Sequence, residues 1–200
     1  MRLPHIRTRL AAYDAHLIDE PKVARASVAV VLHERTGGAL DLLLIQRATR
    51  DSDPWSGHMA FPGGRRDPGD ADVIATAMRE TLEEVGVDLD RDAAVIGRLD
   101  ELRAIARHRP LDLVISPIVF ALTAPVVLAP NPREVESAVW VPLDHLASAA
   151  ARTTYTRTLD AVTSDYPAFR FERYTIWGLT HRILDGFLEI VRASGGPVLG

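Results

Sequence analysis

The stretch that most restricts how this chain can fold is Ala71–Val85, where Ile74, Ala77, Met78, Leu82 and Val85 recur at the spacing of one buried helical face. Asp70 or Asp72 supplies a helix start signal, and Gly86 sits where a helix end favours a left-handed residue. The same helix carries Glu80, Glu83 and Glu84. At about 100° per residue these carboxylates fall on one side, away from most of the apolar face. Like charges at this spacing cost a helix roughly 0.2–0.5 kcal/mol per pair, so the crowding asks for open water or for a cation. Acidic residues alone fit a solvated face. Two neighbours favour the cation: Arg79, placed to orient Glu83 one turn on, and Gly63-Gly64, which let backbone pass close to a metal or to phosphates. Mg²⁺ takes carboxylate and water oxygens and bridges to phosphate oxygens, and Mn²⁺ accepts the same donors.

Around this helix the pattern is mixed. Ala24–His33 and Leu40–Gln46 read as strands joined across Thr36-Gly37-Gly38, followed by a polar loop at Ala48–His58 and a short strand at Met59–Phe61. Further strands are expected at Ala94–Leu99, Leu113–Leu122 and Val135–Val141, with weaker candidates at Thr154–Leu159 and Phe169–Thr175. Amphipathic helices at 3–14 and 176–191 are expected to pack on the ends. Strands and helices do not alternate regularly, so an α/β sandwich with a mixed sheet fits best. A length of 200 residues suits one domain, spanning 1–200.

Composition removes whole classes of function. With no cysteine, thiol nucleophiles and zinc–thiolate sites are excluded, and a reducing cytoplasm is the natural setting. A net charge of −4 disfavours nucleic-acid partners, and no apolar run reaches the roughly 20 residues needed to span a bilayer. The arginine-bearing start, MRLPHIRTRLAAYD, lacks the apolar core of a signal peptide, so a cytoplasmic protein is expected.

The segment Gly64–Val87, GRRDPGDADVIATAMRETLEEVGV, resembles the Nudix box, Gly-x5-Glu-x7-Arg-Glu-aliphatic-x-Glu-Glu-x-Gly-aliphatic. The Arg-Glu-x-x-Glu-Glu-x-Gly half is complete. Thr81 replaces an aliphatic residue, Asp70 replaces the first glutamate, and one extra residue precedes Arg79. Those departures, with Leu43-Leu44-Ile45-Gln46-Arg47-Ala48, Gly57, Phe61-Pro62-Gly63-Gly64 and Ile176-Trp177-Gly178-Leu179-Thr180, resemble the coenzyme A pyrophosphatase branch. The branch's second arginine has no counterpart here; Ser52-Asp53-Pro54-Trp55 fills that region and Arg50 is the nearest substitute.

The resemblance implies a Nudix-type α/β/α sandwich and Mg²⁺- or Mn²⁺-dependent hydrolysis of a diphosphate. The branch implies coenzyme A or acyl-CoA as substrate, giving 3′,5′-ADP and 4′-phosphopantetheine. It casts Glu80, Glu83 and Glu84 as metal ligands, Gly64 as a backbone contributor and Arg79 as their orienting residue. Arg47, Gly63, Arg65 and Arg66 are expected to meet the substrate, and the general base is open between one of the box glutamates and a carboxylate beyond the box, Glu101 or Glu134. Trp55, His58 and Trp177 are candidates for substrate contact, with packing the favoured role for Trp177 and packing or solvent for His58. The basic stretch Arg98, Arg103, Arg107, His108 and Arg109 is either a phosphate site or a solvated loop paired with Asp100, Glu101 and Asp112. His181 and Arg182 are expected to face solvent or a dimer partner. The partner expected is a small nucleotide diphosphate, and a homodimer is compatible with the resemblance. The alternatives are hydrolysis of ADP-ribose, a dinucleotide, NADH or a nucleoside triphosphate, and, from another class, a Nudix-fold isomerase or a ligand-binding module without turnover.

Overall fold

A computed structural model describes residues 1–49, 55–106, 109–159 and 162–192. In chain order it contains α1 (Leu3–Ala11), β1 (Ala24–Glu34), β2 (Leu40–Arg47), β3 (Met59–Ala60), β4 (Gly63–Arg65), α2 (Val73–Val85) and α3 (Leu89–Asp92). There follow β5 (Ala93–Arg98), β6 (Leu102–Ala106), β7 (Arg109–Leu122), β8 (Val135–Pro142) and α4 (Leu143–Leu146). A 3₁₀ turn at Ala149–Ala151 leads to β9 (Arg152–Leu159), β10 (Val162–Phe171), β11 (Tyr174–Trp177) and α5 (Gly178–Arg192).

The main sheet runs β3-β2-β1-β7-β5, with β4 on β1, β6 on β7 and β8 on β2. β1 and β7 pair in parallel from Ala24↔Leu113 to Leu32↔Ala121, while the other pairings are antiparallel, so the sheet is mixed as expected. The middles of β1, β2 and β7 are largely apolar because both faces are covered. Val30, Leu32, Leu42 and Leu44 enter one core with Ile6 and Leu10 of α1 and Ile183, Leu184 and Phe187 of α5. Ala29, Val31, Leu43 and Ile45 enter the other, with Ala77 and Val85 of α2 and Leu89 of α3. Two helical layers thus flank one sheet.

The C-terminal region departs from expectation. Ile176 and Trp177 lie in β11, not in a helix, and α5 starts at Gly178, which takes φ 66°. β9, β10 and β11 form a separate three-stranded antiparallel sheet. β6, within the basic stretch, was not expected as a strand. At the N-terminus α1 stops at Ala11, short of residue 14.

α2 is also turned relative to its apolar pattern. Thr76, Thr81 and Glu84 are buried, whereas Leu82 is 49% exposed. The buried hydroxyls are satisfied locally: Thr81 donates to the Ala77 carbonyl at 2.7 Å, and Thr76 to Asp70 at 2.9 Å. The rotation exchanges an apolar contact for a buried carboxylate. Asp72 is the N-cap, accepting from the amides of Ile74 (2.8 Å) and Ala75 (2.9 Å), and Gly86 closes the helix at φ 71°.

Glu101 ties the N-terminal segment to the sheet. Its carboxylate accepts from the Ser116 hydroxyl (2.6 Å), the Arg25 guanidinium (2.7 Å) and the Ile18 amide (2.8 Å). Burial pushes its pKa up, but the Ser116, Ile18 and Arg25 donors outweigh this and hold it below the usual range. Since the folded-state pKa is lowered, the stabilisation is present above the unfolded-state value and disappears as pH falls through the folded one. Glu101→Ala should therefore cost about 2–3 kcal/mol in urea unfolding at pH 7, because Arg25 and Ser116 lose their partner. The gap between variant and wild type should narrow in acid below the normal carboxylate range. A difference that stays constant into acid would refute this account of Glu101.

Candidate active site

The turn ahead of α2 is built around Asp70. Its carboxylate accepts from Arg79 Nε and Nη2, both at 3.0 Å, from the Asp67 amide at 2.9 Å and from Thr76. The Arg79 bonds, working against the cost of burial, hold Asp70 far below the ordinary carboxylate range. Arg79 also donates to the Arg65 carbonyl (3.0 Å) and pairs with Glu80 (3.0 Å) and Glu83 (3.2 Å). One guanidinium thus joins β4, the turn and two helix carboxylates.

Glu84 points inward. It is buried and accepts from the Gly63 amide at 2.8 Å. Burial is the main reason its pKa is pushed up to about 8; the Gly63 amide and Arg47 oppose this, while Glu80 and Glu134 add to it. Glu80 is raised too, first by burial and against the pull of Arg79, with Glu83 and Glu134 adding to the rise. The two glycines make room for different things. A Cβ on Gly63 would lie 2.2 Å from the Ser27 carbonyl and 2.7 Å from Val28 Cα, whereas one on Gly64 would lie 2.4 Å from the Glu80 carboxyl group.

Glu80, Glu84 and Glu134 line one cavity of about 650 Å³, together with Arg47, Gly63, Gly64 and Arg65. His58, Trp55 and Trp177 line it as well. Other expected residues lie elsewhere. Glu83 turns to Arg79 at the surface, and Arg66 donates to the Asp70 and Ala71 carbonyls at 3.0 and 2.9 Å instead of lining the cavity. Glu101 is engaged in the N-terminal anchor, which removes it as a candidate base. Arg103 pairs with Glu20 and lies 3.9 Å from Asp112, the solvated-loop arrangement. Arg50, Ser52, Asp53, Pro54, Arg107, His108 and the Arg109 side chain lie outside the described residues. His181 is not solvent-facing: it is buried and stacked on Phe169 at 4.7 Å.

Among the described residues no three acidic or histidine side chains already form a cation cage. Arg79 spreads Glu83 away from the inward-facing pair. The donor chemistry still fits a divalent ion. Glu84 is a buried carboxylate whose charge is disfavoured by burial and by Glu80 and Glu134, and a cation beside it would reverse both effects. Sequence reasoning missed the contribution of β9 and β10 to the wall, through Arg157 and Tyr166. The alternation of Thr153, Tyr155 and Arg157 was the signal available.

The two glycines give a paired prediction. Gly63→Ala should destabilise the fold by about 1–3 kcal/mol or more, because backbone atoms of β1 stand in the way. Gly64→Ala should cost less than about 1 kcal/mol, because only the end of the Glu80 side chain must move. Thermal unfolding of both variants checks this; equal losses would contradict the geometry.

Comparison with known proteins places the chain. The NUDIX domain family matches residues 23–162. The mitochondrial coenzyme A diphosphatase NUDT8 of Homo sapiens is 32% identical over 92% of this chain and 76% of that protein. The peroxisomal coenzyme A diphosphatase ndx-8 of Caenorhabditis elegans is 33% identical over 78% of this chain and 63% of its own length. An uncharacterized Schizosaccharomyces pombe protein is 50% identical over 52% of the chain, which spans only 32% of that longer protein. Among solved structures, a MutT/nudix family protein from Enterococcus faecalis superposes with TM-score 0.54 over 96% of this chain and 70% of its own, at 18% identity. That likeness shows the fold. The family match takes in most of the main sheet, α2 and both glycines that position its carboxylates, and so the chain belongs to the Nudix family, as one of its hydrolases.

Proposed function

We propose that this hydrolase cleaves the diphosphate of coenzyme A or an acyl-CoA, releasing 3′,5′-ADP and (acyl-)4′-phosphopantetheine. The observation that carries the diphosphate chemistry is the buried Glu84 beside Glu80 in a cavity also lined by Arg47 and Arg65. Carboxylates and arginines facing one space suit a polyanion that arrives with a divalent cation. The choice of coenzyme A rests on the human and worm diphosphatases to which the chain is similar.

Glu80 and Glu84 would hold the metal, Mg²⁺ or Mn²⁺, joined by Glu83 once it leaves Arg79 and by the Gly64 backbone. Such an ion neutralises phosphoryl oxygens and lowers the pKa of bound water. Gly63 fixes Glu84 through its amide, and Arg79 sets the direction of Glu80 and Glu83. Arg47 and Arg65 would bind the diphosphate oxygens. Glu134, the remaining carboxylate of the cavity among the described residues, would take a proton from the attacking water as the new P–O bond forms. The bridging oxygen then leaves with the other phosphate. We also read residues 1–200 as one hydrolase domain, because α1 and α5 share a core with the main sheet.

Product analysis with Mg²⁺ or Mn²⁺ and a panel of coenzyme A, ADP-ribose, NADH and nucleoside triphosphates tests the reading. Coenzyme A should give 3′,5′-ADP with the highest kcat/KM, and Glu84→Gln should lose activity by at least about a hundredfold. Preferential cleavage of another panel member would overturn the substrate, and no cleavage with either ion would overturn the mechanism. Glu134→Gln should lower kcat by about 10²–10⁴ with little change in KM if Glu134 is the base. A variant near wild-type kcat would remove it from that role.

A further inference from the structure

The second sheet presents one face to the cavity, and its register says which residues share that face. Thr153, Ala168 and Trp177 are cross-strand partners, as are Tyr155 and Tyr166, and Arg157 pairs with Ser164. Directly opposed residues lie on the same side and alternate residues repeat it, so Trp177, Tyr155, Tyr166 and Arg157 stand together. The neighbouring positions Thr154, Thr156, Thr158 and Asp165 are exposed. On the inward face Trp177 lies 4.5 Å from Tyr155 and 5.4 Å from Tyr166, with His58 edge-on at 4.7 Å. The Arg157 guanidinium sits 5.4 Å from the centre of the Trp177 ring. Thr180, in the first turn of α5, donates to the Met59 carbonyl at 2.9 Å and fixes this wall to β3.

Two cations share this wall. Arg157 and Arg182 both line the cavity, and among the described residues neither has a carboxylate partner. They come from β9 and α5, whereas the cavity carboxylates come from α2 and from the segment entering β8. Arg182 is exposed and Arg157 half-buried, so both can reach an anion entering the cavity from outside. Arg47 and Arg65, near the carboxylates, already serve the diphosphate in the reading above. A half-buried indole beside two such arginines suits a planar base joined to a further phosphate.

We propose that the inward face of β9–β11, with the start of α5, is the subsite for the nucleotide end of the substrate: a purine stacks on Trp177, and Arg157 and Arg182 hold a phosphomonoester separate from the diphosphate. This rests on the coenzyme A reading and makes the 3′-phosphate the feature selected. Coenzyme A and dephospho-coenzyme A, which lacks that phosphate, give the test. Wild type should prefer coenzyme A by about tenfold or more in kcat/KM, as expected for a bidentate arginine contact. In the Arg157→Ala/Arg182→Ala protein the ratio should fall towards one, with the loss in KM and not in kcat. Trp177→Ala should weaken both substrates alike. An unchanged ratio in the double variant overturns the proposal while leaving coenzyme A hydrolysis intact.

Calorimetric binding of 3′,5′-ADP against 5′-AMP separates this from failure of the functional reading. Tighter binding of 3′,5′-ADP that vanishes in the double variant supports the subsite even if coenzyme A is not cleaved. Equal binding of both nucleotides to wild type refutes it.

Discussion

The Arg79–Asp70 pair is the contact on which the site depends. Asp70 is buried and Arg79 about three-quarters so, and a buried ion pair is stable only when the remaining donors and acceptors are met. Here they are. Asp70 collects bonds from Arg79, Thr76 and the Asp67 amide, and Arg79 spends its other donors on Glu80, Glu83 and the Arg65 carbonyl. Removing either partner would leave an unmatched charge in the hinge between β4 and α2. The network does little for global stability that an apolar pair could not do as well; its effect is to set the angle at which α2 presents its glutamates.

That geometry explains the altered spacing ahead of the helix. Aspartate is one methylene shorter than glutamate, so its carboxylate must begin closer to Arg79. The turn at Asp67–Asp70, closed by an amide bond of 3.0 Å from Asp70 to the Asp67 carbonyl, carries it there, and the extra residue lets Asp72 take the N-cap separately. Two aspartates thus divide the work of fixing the turn. Thr81 follows the same logic: it occupies a buried position, and its hydroxyl returns to the Ala77 carbonyl.

Much of this was legible in residue order. Most strands of the main sheet, β4 and β6 apart, the C-terminal limit of α2 and the placement of Glu80 and Glu84 near Gly63-Gly64 follow from period, capping and glycine placement. What stayed hidden had physical causes. Leu82 matched the apolar period yet is exposed, because the helix rolls to bring Glu84 onto the Gly63 amide, a tertiary bond that periodicity does not encode. Glu101 and Glu134 were equivalent acids in the sequence; only folding puts one between Arg25 and Ser116 and the other on the cavity wall. Trp177 continued an apolar pattern into α5, and nothing local showed that Gly178 would break strand from helix at positive φ.

The division of labour between the two sheets follows from what each can bury. The main sheet is covered on both faces, so most of its side chains are committed to packing, and the cavity carboxylates stand at its rim, on α2 and just ahead of β8. The smaller sheet lends Phe169, Tyr174 and Ile176 of one face to the core and turns the other to the cavity, which leaves Tyr155, Arg157, Tyr166 and Trp177 able to vary with little disturbance of that core. A rigid carboxylate rim and an aromatic, arginine-bearing wall can therefore change independently. Reaction type would belong to the first and substrate choice to the second, with Thr180 holding the two in register through the Met59 carbonyl. On this view relatives that keep the α2 carboxylates but differ along Arg157, Tyr166 and Trp177 should share the reaction and divide over the nucleotide end of the substrate.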